Sequence, residues 1–305
     1  MPEKTELVVE GKKLAVSNLN KVLYPKVGFT KGQVIDYYIR IAPALLPHLR
    51  DRPLTMKRYP NGVDAEFFYE KNCPSHRPKW VQTAKVWSEG NNRIMHYCLA
   101  QDLPTLVWAA NLADLELHTS LAKKKDVARP TLMVFDLDPG APADIVQCCQ
   151  VGLWLRDLLT KMKLKAFAKT SGSKGLQVYV PLNTSATFDQ TKDLSRTLAQ
   201  RLEGEHGSLV TSNMSKALRK GKVFVDWSQN DEHKTTICVY SLRAKEEPTV
   251  STPVTWDEVA NCVKKKKADS LKFRSDKTLS RVEKMGDLFA PVEELKQKLP
   301  KKWKL

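Results

Sequence analysis

The fold of this chain is decided by the stretch Thr131-Leu-Met-Val-Phe-Asp-Leu-Asp-Pro-Gly140, an apolar run that ends in two acidic residues. Such a run is typical of a buried strand, and the Pro-Gly pair ends it. Side chains at positions i and i+2 of a strand share a face, so Asp136 and Asp138 are predicted to point the same way. Two carboxylates at that distance repel each other unless a divalent cation binds between them, and Mg²⁺ and Mn²⁺ prefer oxygen ligands. An Asp-x-Asp pair is also common in ordinary loop caps, so by itself it is weak evidence for a metal site.

The elements after this strand are predicted to follow the order β-α-β-β-α-β. We expect a helix over 142–162, strands over 165–170 and 176–182, a helix over 188–202 and a strand over 222–228, with an additional helical piece over 212–220. This order is that of a ferredoxin-like, or RRM-like, split unit, in which the last strand lies beside the first. Residues 235–240 are expected to form the strand that completes a final hairpin.

A third acidic residue strengthens the case for a metal site. Asp226 lies in Lys222-Val-Phe-Val-Asp-Trp-Ser228, an apolar strand in which a charged side chain needs a strong reason to be present. If this strand lies beside the first one, Asp226 comes close to Asp136 and Asp138. Three carboxylates suit a site for two divalent ions, Mg²⁺ or Mn²⁺, in phosphoryl or nucleotidyl transfer.

The N-terminal part is predicted to mix strands and helices. The expected elements are a strand over 7–9, a helix over 32–49, strands over 54–59 and 93–98, and a helix over 104–113. Thr30 is the expected N-cap of the first long helix, because its hydroxyl can accept from the free N–H groups of the first turn. The predicted fold class is therefore α+β, with an N-terminal α/β portion packed against the split unit.

The charge of the chain indicates a polyanionic partner. Fifty Lys and Arg against 34 Asp and Glu give a net charge of +16, which favours nucleic acid. Residues 261–305 carry fourteen of the basic residues and six acidic ones, as either a backbone-binding arm or a solvated tail. No apolar run approaches the roughly 20 residues of a membrane-spanning helix, and the N-terminus lacks the profile of a signal peptide.

The cysteines are too few and too scattered to predict a disulfide framework. They are Cys73, Cys98, Cys148, Cys149, Cys238 and Cys262, and we expect all six to be reduced in a cytoplasmic protein. The pairs Cys73/His76 and His96/Cys98 raise the alternative of a zinc site. Their spacing matches no standard zinc pattern, so no zinc is expected.

A glycine-rich turn is the strongest candidate for binding phosphate. Ser171-Gly-Ser-Lys-Gly175 joins two predicted strands, and its glycines would let backbone N–H groups point at an anion while Lys174 supplies charge. A plain hairpin turn that needs glycine explains the same residues. Further candidates around the Asp226 strand are Arg219, Lys220, Gln229 and Arg243. His118 ends an apolar run and is either a ligand contact or a core histidine.

Five motifs in order resemble the polymerase domain of bacterial ligase D. They are Asn18–Pro25, Phe135–Pro139, Ser171–Leu176, Val225–Asn230, and Tyr240–Ala244 followed by Pro248-Thr-Val250. These domains are primase-polymerases of the archaeo-eukaryotic primase superfamily that act with Ku in non-homologous end joining. The resemblance extends from about residue 15 to residue 300, and it implies a primase-polymerase catalytic core.

The resemblance implies four groups of site residues. The acids that bind the two metal ions and catalyse the reaction are Asp136, Asp138 and Asp226. The incoming nucleotide is held by Lys57, His118, Ser171, Lys174, Gln177, Arg219, Gln229 and Arg243. The 5′-phosphate of a DNA end is bound by Asn18, Lys21 and Lys31, and the template base is stacked on Phe68 and Tyr69. Gln177 departs from the histidine that many relatives carry there, so an amide would replace a histidine contact to the triphosphate.

The position of the phosphate-binding lysines also has a physical basis. A turn over residues 25–28 is expected to fold Lys31 back beside Lys21. Lys31 also lies at the start of the first long helix, where the free N–H groups favour an anion.

The resemblance implies one primase-polymerase domain over 1–305. Its expected subregions bind DNA ends (about 1–125), catalyse the reaction (about 126–255) and form a basic helical C-terminal segment (about 256–305). The implied function is template-dependent nucleotidyl transfer, a DNA polymerase or primase activity that fills gaps at 5′-phosphorylated ends and prefers ribonucleotides. The implied partners are gapped or broken DNA, NTPs and dNTPs, Ku and a separate DNA ligase, in the cytoplasm at the nucleoid.

Three other functions compete with gap filling. A primase that starts primers from two nucleotides would use the same acids. A nucleotide-sugar transferase would use Asp136 and Asp138 for its metal, but it leaves Asp226, Lys21 and Lys31 unexplained. A non-catalytic end-binding module would use the charge and the aromatic residues without needing three acids.

Overall fold

The fold comes from a computed structural model that describes residues 4–300 and Trp303. The basic residues around Trp303, which we expected to belong to an arm or a tail, lie outside the described residues. The described residues contain no helix long and apolar enough to cross a bilayer.

The described part of the chain forms twenty strands and seven α-helices. The strands are β1 (Lys4–Val9), β2 (Lys12–Ser17), β3 (Val22–Tyr24), β4 (Phe29–Thr30), β5 (Leu54–Arg58), β6 (Phe68–Glu70), β7 (Thr83–Ser88), β8 (Arg93–Cys98), β9 (Asp114–Ser120), β10 (Ala122–Lys123), β11 (Asp126–Pro130), β12 (Leu132–Pro139), β13 (Phe167–Thr170), β14 (Leu176–Pro181), β15 (Val210–Thr211), β16 (Val223–Asp226), β17 (Thr235–Ile237), β18 (Leu242–Ala244), β19 (Pro248–Val250) and β20 (Pro253–Val254). The helices are α1 (Lys31–Leu49), α2 (Leu103–Asn111), α3 (Ile145–Lys161), α4 (Phe188–His206), α5 (Trp256–Lys265), α6 (Ser275–Met285) and α7 (Pro291–Glu294).

The chain divides into two compact units. The first unit comprises the residues up to Lys125, Thr235–Ser251 and Arg274–Asp287, and the second comprises Asp126–Lys234, Thr252–Phe273 and the residues from Leu288 onward. The first stretch of the first unit ends at Lys125, and the second unit begins at Asp126. The C-terminal residues that we expected to form one segment are shared, because α5 belongs to the second unit and α6 to the first.

The second unit is built on a six-stranded sheet with the order β15-β16-β12-β14-β13-β20. The last strand of the β-α-β-β-α-β series, β16, lies beside the first, β12, as the sequence predicts. The core cluster of this unit joins Phe135 and Leu137 of β12 to Leu155 of α3 and Leu198 of α4. Because side chains alternate along a strand, Asp136 and Asp138 lie on the opposite face of the sheet from this cluster.

The additional helical piece expected over 212–220 is shorter in the structure. A 3-10 helix spans Lys216–Arg219 alone. The helix expected over 142–162 begins at Ile145, because Asp144 is its N-cap and forms a capping box with Gln147.

The first unit contains a sheet with the order β17-β9-β5-β8-β7, and β6 also pairs with β5. Helix α1 begins with the predicted cap, since the Thr30 hydroxyl accepts from the backbone N–H of Gln33 and the Gln33 side chain accepts from that of Thr30. The expected final hairpin is wrong: β17 pairs with β9. Strand β16 has β12 on one side and β15 on the other, so neither of its edges is left for residues 235–240.

A disulfide bond joins Cys73 to Cys98 in the first unit. The expectation of six reduced thiols is therefore wrong for these two residues, which are also the two cysteines that the zinc alternative needed. The Cys73 N–H donates to the carbonyl of His96 at 2.6 Å, and this contact brings the loop onto β8 with the two Cα atoms 4.9 Å apart. The other four cysteines are buried thiols.

Candidate functional site

A row of polar side chains crosses four strands of the second unit. Asp136 on β12 lies opposite Asp226 on β16 and Gln177 on β14, and Gln177 lies opposite Lys169 on β13. Directly opposed side chains have Cβ atoms about 5 Å apart, so the row is continuous. Asp138 follows two residues after Asp136 on the same face. The pairing predicted for Asp136 and Asp226 is therefore present, and the row also contains Lys169, which the sequence analysis missed.

Asp136 is a carboxyl group with a raised pKa that lies beside two other acidic side chains. Burial raises the pKa of Asp136, and the charges of Asp138 and Asp226 raise it further. The hydrogen bond with Gln177 and the charge of Lys169 lower the pKa, but only in part, so that it stands at about 7. The Oδ1 atom of Asp136 is buried and has no hydrogen-bond partner among the described residues. An oxygen of this kind costs free energy unless a ligand completes it.

Asp226, by contrast, is held firmly by the residues that follow it. Its Oδ1 accepts from the backbone N–H and the hydroxyl of Ser228, at 3.0 and 2.6 Å. Its Oδ2 accepts from the side-chain amide of Gln229 at 2.9 Å. These bonds fix the orientation of the carboxylate, and they place the predicted nucleotide contact Gln229 directly against a predicted metal ligand.

The Ser171–Gly175 turn lies beside the end of β12. A Cβ atom at Gly175 would be 2.2 Å from the Leu137 carbonyl and 3.6 Å from Oδ1 of Asp138, so this position requires glycine. The Ser171 hydroxyl accepts from the N–H of Gly175 at 3.1 Å, and Lys174 is exposed. The turn therefore presents an exposed lysine close to the acidic row.

The segment with Arg219 packs against the other side of this strand end. A Cβ atom at Gly140 would be 1.9 Å from the Arg219 carbonyl, so the backbones are in direct contact. The Arg219 guanidinium covers the Phe224 ring at 3.8 Å and donates to the carbonyl of Met214 at 2.8 Å. Its buried Nε has no hydrogen-bond partner in the described part of the chain.

The acidic row fits a divalent cation through a pair of carboxylates. Within residues 4–300 and Trp303, no group of three or more His, Cys, Asp or Glu side chains is arranged to hold one ion. The fit depends on Asp136 and Asp226, which are directly opposed, and on the buried oxygen of Asp136. Hard cations such as Mg²⁺ and Mn²⁺ match this oxygen donor set.

A second cluster lies in the first unit around a buried glutamate. Glu116 forms ion pairs with Arg243 at 3.3 Å and with Lys57 at 3.6 Å, and it lies within hydrogen-bond distance, at 3.0 Å, of the His118 ring, whose pKa is lowered by burial. Burial alone would raise the pKa of Glu116, but the hydrogen bond from His118 and the charges of Arg243 and Lys57 outweigh it and lower the pKa to about 2. Three predicted nucleotide contacts are thus brought together by a residue that was not predicted.

A signal for Glu116 was present in the sequence. It lies between Leu115 and Leu117, both fully buried, in a strand whose alternation places Glu116 and His118 on one face. A charged residue in an apolar strand is the same signal that identified Asp226. His118 shares this face with Glu116, and its side chain is 14% exposed.

The predicted stacking pair is divided between two sites in the first unit. Tyr69 approaches the His118 ring, with centroids 6.0 Å apart, and Phe67 approaches Tyr69 at 5.9 Å. Phe68 instead lies against the Arg58 guanidinium at 5.0 Å. The aromatic pair beside the Glu116 cluster is therefore Phe67–Tyr69. All three rings are partly exposed.

A third cluster surrounds the two predicted phosphate-binding lysines. The backbone N–H of Lys31 donates to the carbonyl of Lys21 at 2.8 Å, so the turn folds Lys31 back beside Lys21 as predicted. The lining of a cavity of about 240 Å³ includes both lysines, Asn18, Arg58 and Asn61. The ammonium of Lys21 donates to Asn61 at 2.9 Å and that of Lys31 to the Ser17 carbonyl at 2.7 Å.

The charge in this cavity is unbalanced. Burial lowers the pKa of Lys31 to about 8, and the positive charges of Lys21 and Arg58 contribute. Arg58 is held in place by the Leu112 carbonyl at 2.9 Å and by Glu70 at 2.6 Å. Three cationic side chains around one cavity favour an anion, and Arg58 is a member that the sequence analysis missed.

The predicted nucleotide contacts fall in both units. Lys57, His118 and Arg243 belong to the first unit, and Ser171, Lys174, Gln177, Arg219 and Gln229 belong to the second. Gln177 is 3% exposed and accepts from the Lys169 ammonium, so its amide is part of the buried row.

Comparisons with known proteins agree with this architecture. The family model described as "LigD, primase-polymerase domain" matches residues 30–289. A "Multifunctional non-homologous end joining protein LigD" from Mycolicibacterium smegmatis is 41% identical over 283 residues, which are 92% of this chain and 36% of that protein. A "Bifunctional non-homologous end joining protein LigD" from Bacillus subtilis is 32% identical over 275 residues, which are 90% of this chain and 43% of that protein.

A solved structure shows the same fold. The "Polymerase Domain from Mycobacterium tuberculosis Ligase D in complex with DNA" superposes with a TM-score of 0.85 and 38% identity, covering 94% of this chain and 99% of that chain. These comparisons define the chain as a primase-polymerase domain. It belongs to the LigD primase-polymerase domain family, and it spans between about a third and a half of the length of the curated relatives above.

Proposed function

We propose that the protein is a template-dependent nucleotidyltransferase that fills gaps at broken DNA ends in non-homologous end joining. The observation that carries this proposal is the directly opposed pair Asp136 and Asp226, with the buried Oδ1 of Asp136 left without a partner among the described residues. Two directly opposed carboxylates, one with a buried oxygen that has no partner among the described residues, would be costly to keep unless they bound a cation. Two Mg²⁺ or Mn²⁺ ions would be held by Asp136, Asp226 and Asp138, and would supply activation of the primer hydroxyl and stabilisation of charge on the triphosphate.

The chain's own side chains would bind and orient the nucleotide. In the second unit, the exposed Lys174 supplies positive charge beside Asp138, and Arg219 carries a buried Nε that a phosphate oxygen would satisfy. In the first unit, the cations around Glu116 supply further charge.

The DNA end would be recognised by the cavity between Lys21 and Lys31. A terminal phosphate carries nearly two negative charges at neutral pH, and Lys21, Lys31 and Arg58 offer three positive groups around a volume of about 240 Å³. Phe67, Tyr69 and Phe68 are exposed rings of the kind on which an unpaired template base stacks.

The relatives support the remaining parts of the proposal. Their names place them in non-homologous end joining, and the superposed polymerase domain was solved with DNA. We extend this to a preference for ribonucleotides, to Ku and a separate DNA ligase as partners, and to action at the nucleoid in the cytoplasm.

Primer extension tests the proposal. A labelled primer on a gapped duplex with a 5′-phosphate is incubated with NTPs or dNTPs, with Mn²⁺, with Mg²⁺ or with EDTA. We expect metal-dependent addition of templated nucleotides, faster with NTPs, and loss of addition in Asp136→Asn and Asp226→Asn. Asp157→Asn, an exposed aspartate on α3, is the matched control and should retain full activity.

Three results would contradict the proposal. They are no metal-dependent addition by the wild type, full activity in Asp136→Asn, and synthesis that starts without a primer as readily as it extends one. The last result would favour the primase function.

A further inference from the structure

Glu116 is the common partner of Lys57, His118 and Arg243, which lie on three strands of the first unit. Its Oε2 lies 3.0 Å from Nε2 of His118 and 3.6 Å from Nζ of Lys57, and its Oε1 lies 3.3 Å from Nε of Arg243. Oε1 also accepts the backbone N–H of Ala244 at 3.0 Å. The side chain of Glu116 is 1% exposed, whereas those of its partners are 12–17% exposed. The Glu116 carboxylate is therefore less accessible than its three partners, and the partners are the groups that a ligand can reach.

A carboxylate is an unexpected member of a cluster that binds an anion. It lowers the net positive charge, so on charge alone it weakens attraction for a triphosphate. Without it, however, the positive charges of Lys57 and Arg243 would lie near each other with no compensating charge, and they would repel each other. An ammonium has three N–H donors and a guanidinium five, so an ion pair with one carboxylate does not use all of them. Because an ionised carboxylate only accepts, Nε2 of His118 must carry its proton toward Glu116, which fixes the orientation of the ring.

We propose that Glu116 is a positioning residue that holds Lys57, His118 and Arg243 in the arrangement that binds the phosphates of the incoming nucleotide. The inference rests on the proposed polymerase function and adds to it a residue that does not itself touch the nucleotide. Charge and positioning make opposite predictions for Glu116→Gln. Loss of a negative charge alone would tighten nucleotide binding, whereas loss of the anchor weakens it.

The test is a nucleotide titration on a stalled complex. A gapped duplex with a dideoxy-terminated primer and a templating thymine is bound by the protein in Mg²⁺ and titrated with ATP, with a fluorescent template base as reporter. We expect Glu116→Gln to weaken ATP binding about 10-fold. Glu246→Gln removes an exposed carboxylate from the same unit and should change it less than about twofold. In a Lys57→Met background the Glu116→Gln effect should fall to about threefold or less, because coupled residues are not additive.

A second measurement separates positioning from general structural damage. The preference of the protein for a 5′-phosphate over a 5′-hydroxyl depends on Lys21 and Lys31, which lie in the same unit but do not contact Glu116 by any hydrogen bond or ion pair described above. We expect Glu116→Gln to keep this preference in full. Should Glu116→Gln fail to fold, Glu116→Asp keeps the charge and shortens the reach, and we expect intermediate weakening.

Several outcomes would overturn the inference. The first is unchanged or tighter ATP binding in Glu116→Gln, and the second is an equally large loss of ATP affinity from Glu116→Gln in the Lys57→Met background. The third is loss of the 5′-phosphate preference together with ATP binding in Glu116→Gln. The fourth is ATP affinity equal to that of the wild type in Glu116→Asp. If the wild type itself fails to bind ATP on the gapped duplex, the proposed function fails. If the wild type binds and Glu116→Gln binds equally well, only the positioning role of Glu116 fails.

Discussion

Recognition of a 5′-phosphate should weaken as pH rises through 8, because Lys31 loses its charge there. Burial lowers the pKa of Lys31 to about 8, with further contributions from the charges of Lys21 and Arg58. Lys31 is charged below this pKa and neutral above it. The affinity for a 5′-phosphate is therefore highest at pH values below 8 and falls as pH rises. The phosphate monoester has its second pKa near 6, so its own charge hardly changes above pH 7.

The magnitude follows from the fraction of charged Lys31. At pH 7 about nine tenths of the side chain is protonated, and at pH 9 about one tenth is. If the phosphate binds only the charged form, the affinity for the phosphorylated end falls about 10-fold over this range, or about 1.4 kcal/mol. Lys21→Ala removes a repelling charge, raises the pKa of Lys31 and shifts the decline to higher pH.

Fluorescence anisotropy of gapped duplexes measures this effect. The ratio of affinities for 5′-phosphate and 5′-hydroxyl ends is recorded from pH 6.5 to 9.5 at one ionic strength, because backbone contacts depend steeply on salt. Lys31→Met should have a low ratio that does not change with pH. A wild-type ratio that stays constant between pH 7 and 9, or a pH dependence that persists in Lys31→Met, would refute the reasoning.

Three further predictions concern the turn, the nucleotide contacts and a buried acid. Gly175→Ala should destabilise the protein by about 2 kcal/mol in thermal unfolding and reduce nucleotide addition, because its Cβ would lie 2.2 Å from a carbonyl of β12. Gly204→Ala is the control: the space around its Cβ is open, so it should be neutral or stabilising in the same measurement. Lys174→Ala and Arg243→Ala should each raise the apparent KM for nucleotide about 10-fold, and unchanged values in both would remove these residues from the site. Burial raises the pKa of the Asp114 carboxyl well above its usual value, so this group opposes folding more strongly as pH rises. In urea titrations, Asp114→Asn should therefore stabilise the protein by about 1 kcal/mol at pH 8 and by less at pH 4.

Features that depend on neighbours in sequence could be predicted well. The capping box at Thr30 and the apolar strand that ends in Asp136 depend on residues within a few positions of each other. The pairing of Asp136 with Asp226 was also accessible, because the β-α-β-β-α-β order has one favoured strand arrangement.

Features that depend on distant pairing could not be predicted in the same way. Cys73 and Cys98 are 25 residues apart, and only the loop contact with β8 brings them together. To predict that β17 pairs with β9, one must know that β12 and β15 already pair with the two edges of β16. Glu116 was missed for a different reason: its role depends on Lys57 and Arg243, two partners that are distant from it in sequence.

The most direct test of the central claim is Mn²⁺ binding to the purified protein, measured by electron paramagnetic resonance without DNA or nucleotide. The account predicts saturable binding in the wild type and in Asp157→Asn. It predicts at least about 10-fold weaker binding in Asp136→Asn and Asp226→Asn, because each loses one of the opposed carboxylates. Equal Mn²⁺ affinity in the wild type and in Asp136→Asn would contradict the assignment of this row as the metal site.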